Sequence, residues 1–313
     1  MDRRRFLTST TAVGLLGACT GAVPPLGDVN GAYPPIGKIV NAGGLDVHAW
    51  DRGTGRPVIM IHGAGGNLRD FTYDVAPMVA ENYRAIAFDR PGFGYTDRPA
   101  ERGGDPAVQA RVLAAAAREM GVQRPILVGH SLGAAIAMAW ALAEPDSVAG
   151  VVSVSGAVMP WSERPMLAEL IGLDEVLIGF YFDYLSTGLE DGTIERFIAR
   201  NFRPQTPPPG YVEAVGIPLA LRPDSIEANK EDIASLNTAL RRQAPDYGRL
   251  TMPVEVVSGA ADPIIRPARQ PIPFSERLGN ARLTLLDNVG HMAHHAAPQE
   301  VIAAVARIDA AVA

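Results

Sequence analysis

The chain contains a single cysteine, Cys19, among 313 residues, so no disulfide can form within it. Basic residues form no cluster beyond the N-terminus and the formal net charge is −6, which argues against nucleic acid as a partner. The apolar stretch Ala12 to Ala18 is too short to cross a bilayer. No His, Cys, Asp or Glu grouping has metal-ligand spacing. Gly92-Phe93-Gly94 lacks the third glycine of a dinucleotide fingerprint. No internal repeat is present. These absences predict a protein that needs no metal and no cofactor.

With 47% hydrophobic residues, the chain can bury one large core, or one core plus a subdomain. Its most informative feature is Gly129-His130-Ser131-Leu132-Gly133, directly after the apolar run Pro125-Ile126-Leu127-Val128. The pattern G-x-S-x-G between a strand and a helix is a nucleophile elbow. Glycines flank the serine because the sharp turn strains its backbone and leaves no room for bulky neighbours. Ala134 to Ala143 follows as a small-residue helix able to pack close to a sheet.

Two later segments complete a catalytic set. The strand-like Pro253 to Gly259 leads to Ala260-Ala261-Asp262-Pro263, and Ala281 to Leu286 leads to Asn288-Val289-Gly290-His291-Met292. Ser131, Asp262 and His291 thus follow the order Ser, Asp, His, each at the carboxyl end of a predicted strand, where a parallel sheet opens its ligand crevice. In this scheme Ser131 attacks a carbonyl, His291 accepts its proton, and Asp262 orients the imidazole. The oxyanion donors are the backbone N–H groups of Leu132 and of Ala64, in the loop after the His62-Gly63 strand.

These segments carry a family resemblance. Val58 to Asn67 (VIMIHGAGGN), Phe88 to Thr96 (FDRPGFGYT), Val128 to Gly133, Ser258 to Pro263 and Gly290-His291-Met292 resemble the α/β-hydrolase superfamily. The matching branch comprises lid-bearing esterases, lipases, C–C bond hydrolases and cofactor-free haloperoxidases. The resemblance runs from about Gly37 to the C-terminus. It implies a doubly wound, mostly parallel sheet with a helical cap inserted after the sixth strand. Serine at the elbow departs from the dehalogenases and epoxide hydrolases of this fold, which use aspartate there. Leu132 departs from the Met often found after the serine in haloperoxidase-like members.

Strands and helices alternate as that fold requires. Gly37–Val40 and Leu45–Trp50 form an opening hairpin. Pro57–His62 and Tyr83–Asp89 are buried strands flanking a helix near Leu68–Glu81. Asp105–Met120 is a helix, Ala149–Ser155 the sixth strand and Pro298–Val312 the last helix. Between Gly156 and about Leu250 lie helical patterns at Glu175–Leu185, Thr193–Phe202, Gly210–Leu221 and Ile226–Arg242. The predicted core is therefore 37–156 with 251–313, and the cap is 157–250. Trp161 sits at the cap hinge, and Phe180 and Tyr181 lie in an apolar stretch suited to lining an acyl pocket. The bland readings are that His130 and His62 shape loops, that Asp89 and Arg90 form a buried structural pair, and that Asp287 is a turn residue. His294 and His295 compete with His291, but the Gly-His-Met frame favours the latter.

The N-terminus reads as an export signal over residues 1–18, followed by a tether over 19–36. Arg3-Arg4-x-Phe6-Leu7 looks like a twin-arginine signal, and Leu16-Gly17-Ala18-Cys19 resembles the lipobox of bacterial lipoproteins. Lipidation at Cys19 would anchor the enzyme to a membrane of the bacterial envelope. The expected activity is hydrolysis of a small or medium apolar carboxylic ester. The alternatives are carbon–carbon cleavage of diketone-like substrates, a cofactor-free haloperoxidase-like activity and, from another class, a non-catalytic membrane-tethered binding protein, against which the intact triad and glycine loops argue.

Overall fold

The computed structural model describes residues 29–161 and 192–313. The export signal, Cys19, the Glu175–Leu185 pattern, Phe180 and Tyr181 lie outside the described residues. Eight strands form one sheet: β1 Lys38–Ala42, β2 Leu45–Arg52, β3 Pro57–Ile61, β4 Arg84–Phe88, β5 Ile126–His130, β6 Gly150–Val154, β7 Val254–Gly259 and β8 Ala281–Leu286. Their order is β1-β2-β4-β3-β5-β6-β7-β8. β2 runs antiparallel to both neighbours, and every pairing from β4 to β8 is parallel. This is the α/β-hydrolase fold, with the insertion after β6 that the family resemblance implies.

The central strands read as uninterrupted apolar runs because both faces are covered. Alternation assigns their side chains to opposite sides. Ile59, Ile61 and Leu127 pack with Leu113 of helix α4 (Pro106–Glu119) and Ile136 of α5 (Leu132–Ala143). Val58, Met60, Ile126 and Val128 pack on the other face with Val79 of the short helix Val75–Ala80 and with Val305 and Ile308 of the final helix, Pro298–Ala311.

Four local differences from the sequence reading have physical causes. The helix expected near Leu68–Glu81 is two pieces, Arg69–Thr72 and Val75–Ala80, because the Asp74 carboxylate caps the second by accepting from Val75 N. The Gly210–Leu221 pattern splits into a turn of helix at Tyr211–Ala214 and a tighter 3₁₀ turn at Ile217–Leu221, broken at Gly216, whose φ is +61°. The expected tether includes a helical turn, Val29–Ala32, because Val29 and Tyr33 lie one turn apart and bury against Leu219. Asp89 and Arg90, expected as a pair, point to different partners. Asp89 takes His48 Nδ1 at 2.7 Å and the Leu68 amide at 2.7 Å, whereas Arg90 reaches into the insertion.

Among the described residues the insertion contains Thr193–Phe202, Tyr211–Ala214 and a long helix, Pro223–Gln243, here αL. Ile194, Ile198 and Phe202 recur at one-turn spacing and form a small separate core with Tyr211, Val212, Val215 and Leu221. No helix among the described residues is long and apolar enough to cross a membrane.

Candidate active site

Strands β5, β7 and β8 are parallel, so their carboxyl ends meet at one edge of the sheet, where the candidate residues lie. Ser131 occupies the turn between β5 and α5 with φ +52° and ψ −119°, a region an L-residue enters only under constraint. The crowding explains the flanking glycines. A Cβ at Gly129 would stand 2.5 Å from Ala134 Cα, and one at Gly133 would stand 2.2 Å from Ile61 O. Ser131 N–H donates to Val154 O at 3.0 Å, tying the elbow to β6.

Asp262 and His291 are brought together. His291 Nδ1 lies 2.9 Å from Asp262 Oδ2, and the other carboxylate oxygen accepts the amides of Ile264 at 2.8 Å and Ile265 at 2.9 Å. The aspartate is therefore held independently of its imidazole partner. The two loops can touch because β7 ends in glycine: a Cβ on Gly259 would be 2.1 Å from Val289 O. His130 places His291 beside the elbow. Its ring centroid is 4.9 Å from that of His291, and its Nε2 is 3.2 Å from His291 O. Among the described residues Ser131 Oγ makes no hydrogen bond, so its link to the imidazole is not closed in this state. Catalytic contacts often tighten only with substrate present.

The loop after β3 faces the elbow, since a Cβ on Gly63 would lie 3.2 Å from Ser131 Cβ. Leu132 opens α5, so no preceding helical turn offers its amide an acceptor. Neither the Leu132 nor the Ala64 amide has a backbone acceptor among the described residues. His62 sits beneath this loop. Its Nε2 accepts the Arg90 amide at 2.9 Å, which leaves Nδ1 as the donor to Gly63 O, also at 2.9 Å. Burial and the neighbouring Arg90 push its pKa down to about 3. Burial, with His294 and His291 nearby, likewise holds His130 well below the usual histidine range.

Trp161 is at the start of the insertion, where its amide donates to Asn237 Oδ1 at 3.0 Å and its carbonyl accepts from Arg241 at 2.7 Å. Asp287 lies in a turn, and Glu255 pairs with Arg307 at 2.7 Å.

Beside the candidate triad stands a second cluster that the sequence reading did not assemble. His294 and His295 converge on Asp70, with one ligand-type atom from each lying within 4.8 Å of the others. Asp70 accepts from His294 Nε2 at 3.1 Å, His295 Nε2 at 2.8 Å and Tyr211 Oη at 2.6 Å, while His295 Nδ1 lies 2.7 Å from Asp74. Burial opposes charge on His295, but hydrogen bonds to Asp70 and Asp74 outweigh it and raise the pKa to about 9. Burial alone would raise the Asp70 carboxyl, yet the two histidines hold it well below the usual range. With both imidazole nitrogens donating to carboxylates, the group is an ion-pair cluster.

A family model described as the alpha/beta hydrolase fold matches residues 56–185. The 2-hydroxymuconate semialdehyde hydrolase of Pseudomonas sp. (strain CF600) is 28% identical over 264 residues, covering 80% of this chain and 85% of that protein. The 2-hydroxy-6-oxononadienedioate/2-hydroxy-6-oxononatrienedioate hydrolase of Cupriavidus pinatubonensis is 34% identical over 114 residues, and that match spans 35% of this chain and 39% of the relative. Among solved structures, an esterase from Exiguobacterium antarcticum superposes with a TM-score of 0.71 at 21% identity, covering 88% of this chain and all of that one. Sheet order and elbow are those of the α/β-hydrolase fold, and the chain is similar to that family over residues 56–185. In this chain the residue at the strand-to-helix elbow is a serine, Ser131.

Proposed function

We propose that the chain is a serine hydrolase that cleaves a carboxylic ester with a small or medium apolar acyl group. The observation that carries this reading is the strained Ser131 at the elbow beside a His291 already hydrogen-bonded to Asp262. With Nδ1 committed to Asp262, Nε2 of His291 is the nitrogen left to take the Ser131 proton. Attack on the acyl carbonyl forms a tetrahedral oxyanion, held by the amides of Ala64 and Leu132. The proton then passes from His291 to the departing alcohol, and water activated by the same imidazole hydrolyses the acyl-enzyme. Each backbone donor of this kind is worth about 2.7–4 kcal/mol of barrier.

A fluorophosphonate probe is expected to label Ser131 in the wild-type chain and to leave folded Ser131→Ala unlabelled. An unlabelled, folded wild type overturns the nucleophile assignment. Turnover of p-nitrophenyl esters of rising acyl length then reads the pocket, in which Trp161, Phe180 and Tyr181 are the proposed lining residues.

A second reading is supported by the similarity to the 2-hydroxymuconate semialdehyde hydrolase over most of both chains. In that case the same machinery cleaves a carbon–carbon bond of a diketone-like substrate. Side-by-side assay of the ester series and a ring-fission diketone separates the two. For location, the sequence around Arg3-Arg4 and Cys19 supports export and lipid anchoring in the bacterial envelope. A Cys19→Ala change then moves the protein from the membrane fraction to the soluble one, and an unchanged distribution refutes the anchor.

A further inference from the structure

The loop that offers the Ala64 amide contains Gly63, Gly65 and Gly66, so its own side chains do little to fix its shape. Its constraints come from outside. Gly65 N–H donates to Asn229 Oδ1 at 2.9 Å, across 164 positions of sequence, from helix αL of the insertion. On the other side of Ala64, Gly63 O accepts from Arg90 Nη2 at 3.1 Å. That guanidinium is held in turn by Asp232, again on αL, with Nη1 2.5 Å from Oδ2 and neither side chain exposed. Asn229 and Asp232 are neighbours on one helical face, three positions apart.

Peptide planarity converts these contacts into a direction. In a trans peptide the C=O and N–H point to opposite sides of one rigid plane. Holding Gly63 O toward Arg90 and His62 therefore turns Ala64 N–H the other way, off the side those residues occupy. Holding Gly65 N–H on Asn229 fixes the next plane. The two planes that meet at Ala64 Cα are both clamped, and each clamp leads to αL. The register of αL is itself pinned to the core, by Arg98 Nη2 donating to Asp232 Oδ1 at 3.0 Å and by Ser235 Oγ donating to Gly104 O at 2.6 Å.

We propose that Asn229 is a positioning residue for the oxyanion loop, so that the docked insertion helix aims the Ala64 amide. This rests on the reading of Ser131 as nucleophile and Ala64 as oxyanion donor. It makes the insertion part of the catalytic apparatus.

The test compares full-length wild type, Asn229→Leu and Asn229→Asp, measuring kcat and KM for p-nitrophenyl butyrate, fluorophosphonate labelling rate at Ser131 and melting temperature. An oxyanion contact strengthens in the transition state, so Asn229→Leu is expected to lower kcat about 10- to 100-fold, with KM changed by less than about twofold. The labelling rate falls in parallel. Asn229→Asp keeps an acceptor oxygen at the same reach and restores kcat to within about threefold. Should the leucine variant melt below the assay temperature, Asn229→Ala is measured in its place against the same aspartate rescue. A kcat close to wild type, a loss confined to KM, or an aspartate variant as slow as the leucine one overturns the proposal. A wild type that neither turns over the ester nor labels overturns the hydrolase reading, and this proposal with it. An active, labelled wild type with an unaffected Asn229→Leu overturns this proposal alone.

Discussion

His295 lies 2.8 Å from Asp70 through Nε2, and this contact joins the segment just after His291 to the helical turn Arg69–Thr72. The insertion shares the same carboxylate through Tyr211, and the Phe202 ring stacks on the imidazole at 5.7 Å. A buried cation thus holds two elements of the core and the inserted core together. Its pKa is raised in the folded state, to about 9, so the stability it contributes is complete below the unfolded value of about 6.5 and is lost as pH rises through about 9. Thermal melts from pH 6 to 10 should show the midpoint falling across that window. His295→Gln should melt lower near pH 7 and show a flatter alkaline limb. A wild-type midpoint that stays level to pH 10 contradicts the assignment of a buried imidazolium.

Arg90 and Asp232 form a fully buried ion pair between the end of β4 and the insertion, supported by Gln109 Nε2, which donates to Asp232 Oδ1 at 2.8 Å. Removing one member leaves an uncompensated charge in the interior, which typically costs about 3–5 kcal/mol. Asp232→Leu is therefore expected to lose stability on that scale in urea denaturation. A loss under about 1 kcal/mol would mean that Arg90 finds another route to water or to a carboxylate.

Ser131 provides the opposite case, a residue whose present conformation works against stability. Its φ of +52° stores strain of about 1–3 kcal/mol that glycine would release, less the extra chain entropy glycine loses on folding. Ser131→Gly should accordingly unfold at higher urea, by about 1 kcal/mol, while losing all fluorophosphonate labelling. Equal or lower stability would indicate that the elbow is not strained.

The parts of the molecule legible in the sequence are those with a local cause. β3 and β5 announce themselves because strands covered on both faces need no polar alternation, and the elbow because its turn admits only small neighbours. The boundaries that slipped also had local causes, the Asp74 cap and the left-handed Gly216, whose signals are single residues inside longer periodic patterns. The remaining contacts had no local signal. Asp70 and His295 are 225 positions apart, Asn229 and Gly65 are 164 apart, and helical periodicity only says that such residues lie on some face. Asp89-Arg90 is instructive for the same reason. Adjacent opposite charges look like a pair, but successive residues at a strand end point to opposite sides and recruit separate partners.

Asp262 offers the sharpest separation of fold from chemistry. One of its oxygens is engaged by two backbone amides and the other by His291 Nδ1. In Asp262→Asn the side-chain oxygen can keep the amides of Ile264 and Ile265, so the loop should stay in place and the melting temperature should change little. The new NH₂ group, however, faces the imidazole and can only donate. It selects the tautomer that accepts at Nδ1 and carries its proton on Nε2, the nitrogen that has to receive the Ser131 proton. On the serine-hydrolase reading the expected loss in kcat is about 10⁴-fold, with ester KM changed far less. Activity within about tenfold of wild type in a folded Asp262→Asn protein would show that His291 does not depend on this carboxylate for its tautomer.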